Sequence, residues 1–251
     1  MGQLYQENDE DEYAIIAFKR AYDIDPYDLD SLLCLGISCT NELAQGEAIS
    51  HLKNWIKYNP NYMELATRLP EDVLPELELD LVTSCFVDAH HMNPKDSNVA
   101  LALGVLFFIK RDFHGAARYF EDGIRANPED HSLWNKYGAA MANSKTFESV
   151  NYYENLEAAI KIYNQALELR PNYVRTISNI GLAHRSAGRY AESIPYFLNA
   201  LLLNPRAVHI WQYVRSSFRQ MDRFDLDEKA GRLDPNAFRD EFQLIDPARL
   251  P

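Results

Sequence analysis

Asn135, Ala139 and Asn143 fall at i, i+4 and i+8, the spacing of one stripe along a helix. Arg175 and Asn179 repeat the interval, and Asn41 follows Ile37 by four residues. Asparagine is a mediocre helix former, so its recurrence at this spacing needs a reason. A carboxamide carries a donor and an acceptor, and can hold a peptide N–H and C=O together. A ladder of such groups suits an extended peptide gripped by its backbone. Arg175 adds a fixed positive charge whose natural counterpart is a carboxylate, such as a chain terminus. Plainer readings stand beside these. Asn41 and Asn143 could be helix C-caps, a role that does not extend to the mid-helix Asn135 and Asn179. Arg175 could be a surface arginine paired with a neighbour.

No catalytic set emerges. The ten glycines never fall in GxGxxG or GxxxxGK[S/T] order, and no GxSxG places a nucleophile. Cys34, Cys39 and Cys85 form no CxxC pair. Neither a disulfide framework nor a structural zinc is therefore expected, and a reducing compartment fits. His90 and His91 are adjacent, so on a helix they point about 100° apart and cannot share one ion. They are expected at a solvent-facing helix end. The acidic run Glu7 to Glu12 lacks the alternation and the glycine of an EF-hand loop, and reads as a solvated inter-helix loop. The expectation is no enzyme, no cofactor and no metal.

Composition narrows the classes further. In 251 residues, 47% are hydrophobic and 25% charged, a mixture that buries a continuous core. Acidic residues outnumber basic ones 37 to 25, a net charge of −12. Nucleic acids and anionic membranes call for a basic face, so neither is an expected partner. Basic partners remain open. The polar, acidic stretch Met1 to Glu12 is the reverse of a signal peptide. The longest apolar run, Val99 to Ile109, is 11 residues, about half of the roughly 20 a membrane span needs. The protein is expected to be soluble and intracellular, without membrane insertion.

The elements that position these residues are legible in a proline ladder. Prolines 26, 60, 94, 128, 171 and 205 stand 34 residues apart, with one interval of 43. Eight residues before them come Phe18, Leu52, Phe86, Phe120, Tyr163 and Phe197. Twelve before come Ala14, Ala48, Val82, Ala116, Ala159 and Ser193, and twenty-four before come Gly2, Gly36, Gly104 and Gly181. Small residues let two helices approach, the bulky one fills the gap to the next hairpin, and proline ends the second helix. This pattern resembles the tetratricopeptide repeat. The fold that follows is all-α, a right-handed superhelix of helix-turn-helix units whose concave wall is lined by the first helix of each hairpin.

Departures from the period set the expected organisation. Residues 1–60 form an N-terminal repeat cluster that opens inside a unit, so a fragment or a short frayed first helix is expected. Pro70 and Pro75 break the third unit, making 61–94 a degenerate, hinge-like stretch with a linker over 61–75 and a helix starting at Pro75. A C-terminal cluster covers 95–205, and its nine-residue insertion near 144–155 reads as a solvated loop extension. Residues 206–251 are expected to cap the open end of the stack.

The segments LWNKYGAAMAN (Leu133 to Asn143), YVRTISNIGLA (Tyr173 to Ala183), CLGISCTNE (Cys34 to Glu42) and ALGVLFFIKRDFHGAARYF (Ala102 to Phe120) resemble the repeat domain of the peroxisomal targeting signal type 1 receptor family. The resemblance implies a cytoplasmic cargo receptor that cycles to the peroxisome membrane and binds C-terminal tripeptides of Ser-Lys-Leu type. It implies that Asn135, Asn143 and Asn179 hold cargo backbone and terminal carboxylate, with Arg175 supplying positive potential. Asn41 binds backbone from the other cluster, Ile37 lines the path, Ala139 leaves room for the leucine, and Glu42 or Glu7 faces the lysine. Ser186 stands where the family commonly has another asparagine, and Phe113 where a tyrosine is expected. The family's long N-terminal half with WxxxF/Y motifs is missing, so docking proteins would be reached only through such a region. A co-chaperone-like scaffold for another C-terminal peptide is the alternative. Its clamp would need more basic residues than Lys136 and Arg175.

Overall fold

The computed structural model describes residues 1–70, 74–144 and 150–244. Thirteen α-helices and two short 3-10 segments occur there, and no strand is found among the described residues. They fall into two compact units, Met1–Gln6 with Glu10–Ala140, and Glu7–Asp9 with Met141–Pro251.

The first unit holds α1 (Gly2–Glu7), α2 (Asp11–Ile24), α3 (Leu29–Asn41), α4 (Gln45–Tyr58), α5 (Pro75–Met92), α6 (Ser97–Ile109) and α7 (Phe113–Ala126). It also holds most of α8 (His131–Asn143). The stretch expected as a linker contains a 3-10 segment, Met63–Arg68. Tyr62 and Leu65 are buried there, and the Tyr62 ring stacks on Trp55 at 6.0 Å between centroids. Pro75 opens α5, where its fixed φ and missing N–H cost nothing. The second unit continues with α9 (Val150–Leu169), α10 (Val174–Ser186), α11 (Tyr190–Leu203), α12 (Ile210–Gln220) and α13 (Phe224–Ala230). Leu226 and Ala230 of α13, with Phe238 from the 3-10 segment Pro235–Phe238, share a buried cluster with Trp211, Val214 and Phe218 of α12.

The periodic residues meet as their types require. A Cβ on Gly36 would stand 2.8 Å from Leu52 of the partner helix, and one on Gly181 2.7 Å from the Phe197 ring. Gly104 and Phe120 are closer still. The bulky residue therefore sits first over the glycine of its own hairpin. It also reaches onward, since Phe197 stacks with Tyr213 of α12 at 5.5 Å.

The two helices of a hairpin end differently. Second helices other than α9, which stops at Arg170-Pro171, end at an Asx-Pro step, where the side chain of Asp25, Asn59, Asn93 or Asn204 accepts a hydrogen bond from the N–H two residues on. First helices close with a left-handed residue two positions beyond the last helical one: Asp9, Leu43, Arg111, Gly188 and Asp222. The following N–H reaches back to the helix, as from Ala44 to Cys39 O at 2.8 Å and from Asp112 to Phe107 O at 3.0 Å. After α3 that left-handed position belongs to Leu43 and not to Asn41. The C-capping reading of Asn41 thus fails in its glycine-like form.

Part of the insertion is helical. α9 has 20 residues where α7 and α11 have 14, so its N-terminal side absorbs six of the extra positions as helix. Asn155 Nδ2 donates to Ser144 O (2.9 Å) and Oγ (3.2 Å), tying the base of the insertion together. Residues 145–149 lie outside the described residues.

Candidate peptide-binding residues

In the first unit, α3 carries Ile37, Asn41 and, one residue past its end, Glu42. Ile37 is only 7% exposed and offers a ligand little surface, whereas Asn41 and Glu42 are exposed. Asn41 Nδ2 donates to Asp11 Oδ1 at 3.1 Å, a bond that uses the amide side of the carboxamide and not its acceptor oxygen. Asn135 and Ala139 lie one turn apart on α8. Asn135 is buried at 3% exposure, and Ala139 is half-buried. An asparagine mid-helix and buried is a specific, costly choice, the opposite of a solvated surface residue.

In the second unit, Asn143 closes α8 and is exposed, while Arg175 and Asn179 lie one turn apart on α10, both half-buried. Arg175 Nη1 pairs with Asp9 Oδ1 at 2.8 Å, and the two side chains are 14% and 15% exposed. The second oxygen of Asp9 lies 2.9 Å from His209 Nε2. Its neighbours join in: Glu7 Oε2 accepts from Arg170 Nε (3.1 Å) and Nη2 (2.9 Å), and Asn204 Nδ2 donates to Asn8 O at 2.8 Å. Three consecutive residues, two of them acidic, thus form a strap on α10, the ends of α9 and α11 and the start of α12. The strap corrects two expectations. Glu7 to Glu12 is not a solvated loop, for Glu10 and Asp11 are buried and Glu7 and Asp9 are ion-paired. Arg175 is paired, but with a carboxylate remote in sequence and hardly at the surface.

Burial works to raise the Asp9 carboxyl, but Arg175 and His209 outweigh it and hold the group below its ordinary value of 3.8. A lowered native pKa contributes stability that is complete above the unfolded value and lost as pH falls through the native one. Wild type and Asp9→Asn are therefore expected to differ in melting temperature near neutrality and to converge in acid below pH 3.8. Thermal scans across pH check this. A constant gap down the series would rule the strap out as an ionic contribution.

Other sequence candidates separate. His91 is exposed, but His90 is not at a solvent-facing end. Its ring stands edge-on to Tyr119 at 5.5 Å, with Nε2 3.5 Å from Asp122. A grouping the sequence reading passed over lies elsewhere in the first unit. Ligand atoms of Cys39, Glu47 and His51 all lie within 4.8 Å of one another. The i, i+4 spacing of Glu47 and His51 was readable, but the cysteine joins them only through the α3–α4 hairpin. No helix among the described residues is long and apolar enough to cross a membrane.

Stacked hairpins with a glycine-aromatic contact and a proline stop define the class, and it is tetratricopeptide-repeat. A family model described as "Tetratricopeptide repeat" matches residues 101–174, and a second of the same description matches 174–206. A solved thermophilic TPR protein from Thermus thermophilus is 17% identical, with a TM-score of 0.51 over 65% of this chain and 84% of that one, a likeness of fold alone. More particularly, the chain is 28% identical over 267 residues to the peroxisomal targeting signal receptor of Candida albicans. It is 32% identical over 265 residues to the protein of that name from Yarrowia lipolytica. Each match covers 97% of this chain and 43% of the relative, so the chain spans less than half the length of these receptors. The resemblance carried by Leu133 to Asn143 and its companion segments is thus a homology over nearly the whole chain.

Proposed function

We propose that the chain is the cargo-binding repeat region of a peroxisomal import receptor and takes C-terminal tails of Ser-Lys-Leu type. The observation that carries this reading is Arg175. Its guanidinium sits largely out of solvent and already holds a carboxylate, that of Asp9, at 2.8 Å. A position able to bind an internal carboxylate is chemically suited to a terminal one. Asn135, Asn143 and Asn179 hold the tail's backbone and terminus, and Asn41 holds backbone through its carboxamide. Ala139 leaves room for the leucine. Exposed Glu42 meets the penultimate lysine, while Glu7, tied to Arg170, is not available for that role. Buried Ile37 supports α3 from inside. The protein works by binding and not by catalysis, in the cytoplasm and at the peroxisome membrane, and docking there rests on regions beyond this chain.

A titration tests the reading. A peptide ending in Ser-Lys-Leu with a free carboxylate is expected to bind. Its C-terminal amide and an acidic Glu-Glu-Val-Asp tail are expected to bind at least about tenfold more weakly, the cost of a lost charged hydrogen bond. Equal affinity for acid and amide would remove carboxylate recognition. Preference for the acidic tail would favour a co-chaperone-like clamp, against which the net charge of −12 already speaks.

A further inference from the structure

Three donors of different chemistry converge where α2, α3 and α4 meet. Cys39 comes from the last turn of α3, and Glu47 and His51 from one face of α4. Their ligand atoms lie within 4.8 Å of each other. His51 Nδ1 is buried and has no hydrogen-bond partner. An imidazole nitrogen in that state is costly unless something else uses its lone pair. The ring is positioned edge-on against Tyr22 at 6.1 Å. A cation already stands at the site's outer edge, since Lys19 Nζ lies 2.8 Å from Glu47 Oε2.

We propose that Cys39, Glu47 and His51 form a binding site for a borderline divalent metal ion of the zinc kind, with its remaining position open to water or a ligand. The donor set is the argument. Thiolate and imidazole select zinc over calcium or magnesium, and one carboxylate balances the charge. Atoms bonded to one zinc ion at about 2.0–2.3 Å lie roughly 3.3–3.8 Å apart, so donors already within 4.8 Å of one another need to close by at most about 1.5 Å. Glu47, exposed and long, supplies that movement once it leaves Lys19. The ammonium is thus a competitor: the metal takes the carboxylate from it. Without metal Cys39 is a free thiol. Binding forms an S–metal bond, breaks S–H and passes one proton to buffer. Affinity therefore falls as the solution is acidified.

Cobalt(II) added to the purified chain is the probe, because a thiolate ligand gives it a near-ultraviolet charge-transfer band, and zinc competition then gives the affinity. The band is expected in wild type and in Cys34→Ser, and absent in Cys39→Ser. His51→Gln should weaken zinc binding at least about tenfold. Lys19→Met should strengthen it several-fold, a gain that loosely scattered acidic residues would not produce. No band in wild type, a band surviving Cys39→Ser, or affinity unmoved by both His51→Gln and Lys19→Met each overturns the site. His51 is half-buried and Lys19 exposed, so those two variants keep the test decisive if Cys39→Ser does not fold.

Discussion

Arg175→Ala is expected to weaken binding of a free-acid Ser-Lys-Leu peptide about 10- to 150-fold, the equivalent of roughly 1.5–3 kcal/mol for a charge-assisted hydrogen bond. The same substitution should hardly change the already weak binding of the amide peptide, because the interaction removed is specific to the carboxylate. Calorimetric titration of the four combinations isolates the coupling. Asp9 makes the experiment more informative. Its carboxylate occupies one edge of a guanidinium that has five donors, so it both steadies Arg175 and reduces the positive potential there. A terminal carboxylate arriving nearby meets that negative charge. Asp9→Asn should therefore raise affinity for the acid peptide about fivefold, roughly 1 kcal/mol of removed repulsion at partly screened distances. It should also lose the neutral-pH stability of the strap. Arg175→Ala strips Asp9 of its first partner, so folding must be measured beside binding. If acid and amide peptides lose affinity equally on Arg175→Ala, the residue acts on the fold and not on the tail.

Phe120→Ala is expected to cost about 3–5 kcal/mol of folding free energy, the range for deleting a fully buried ring. The ring is 1% exposed and lies directly over Gly104. A Cβ on Gly104 would run into it, and the obstacle is a packed ring, not the far end of a flexible chain. Alanine in a helix interior is normally better than glycine by about 1 kcal/mol. Overpacking of this kind costs about 1–3 kcal/mol, so Gly104→Ala should destabilise the wild type. In a Phe120→Ala background the clash is gone, and the same Gly104→Ala change should stabilise. Urea unfolding of the two singles and the double closes the cycle. A Gly104→Ala effect of the same sign in both backgrounds would mean that the glycine is not there for the ring.

This contact explains why the architecture was legible in the chain. Close approach of two helices admits only a glycine opposite a bulky partner, and the second helix stops one residue short of a proline. Three geometric needs each restrict one residue type at a fixed offset, and Gly36 with Leu52 and Gly181 with Phe197 repeat them. The first-helix ends were less readable. Asp9, Leu43, Arg111 and Asp222 hold left-handed backbone where glycine would be the signal, and of the five such positions only Gly188 announces itself. The insertion misled for a related reason: length beyond the period says that residues are added, not that six of them prolong α9.

The candidate residues divide along the same line. Spacing alone put Asn135 with Ala139 and Arg175 with Asn179 on common helix faces, since a helix converts sequence interval into direction. Burial could not be read that way, and Ile37 turned out to lie in the core. Nor could the pairing of Arg175 with Asp9, or of Cys39 with Glu47 and His51, because each partner arrives from a different helix. Period, hairpins and faces are local properties, written within one repeat by sterics and hydrogen bonding. Which charges meet, and which nitrogen is left without a partner, depends on side chains brought together only when the helices pack.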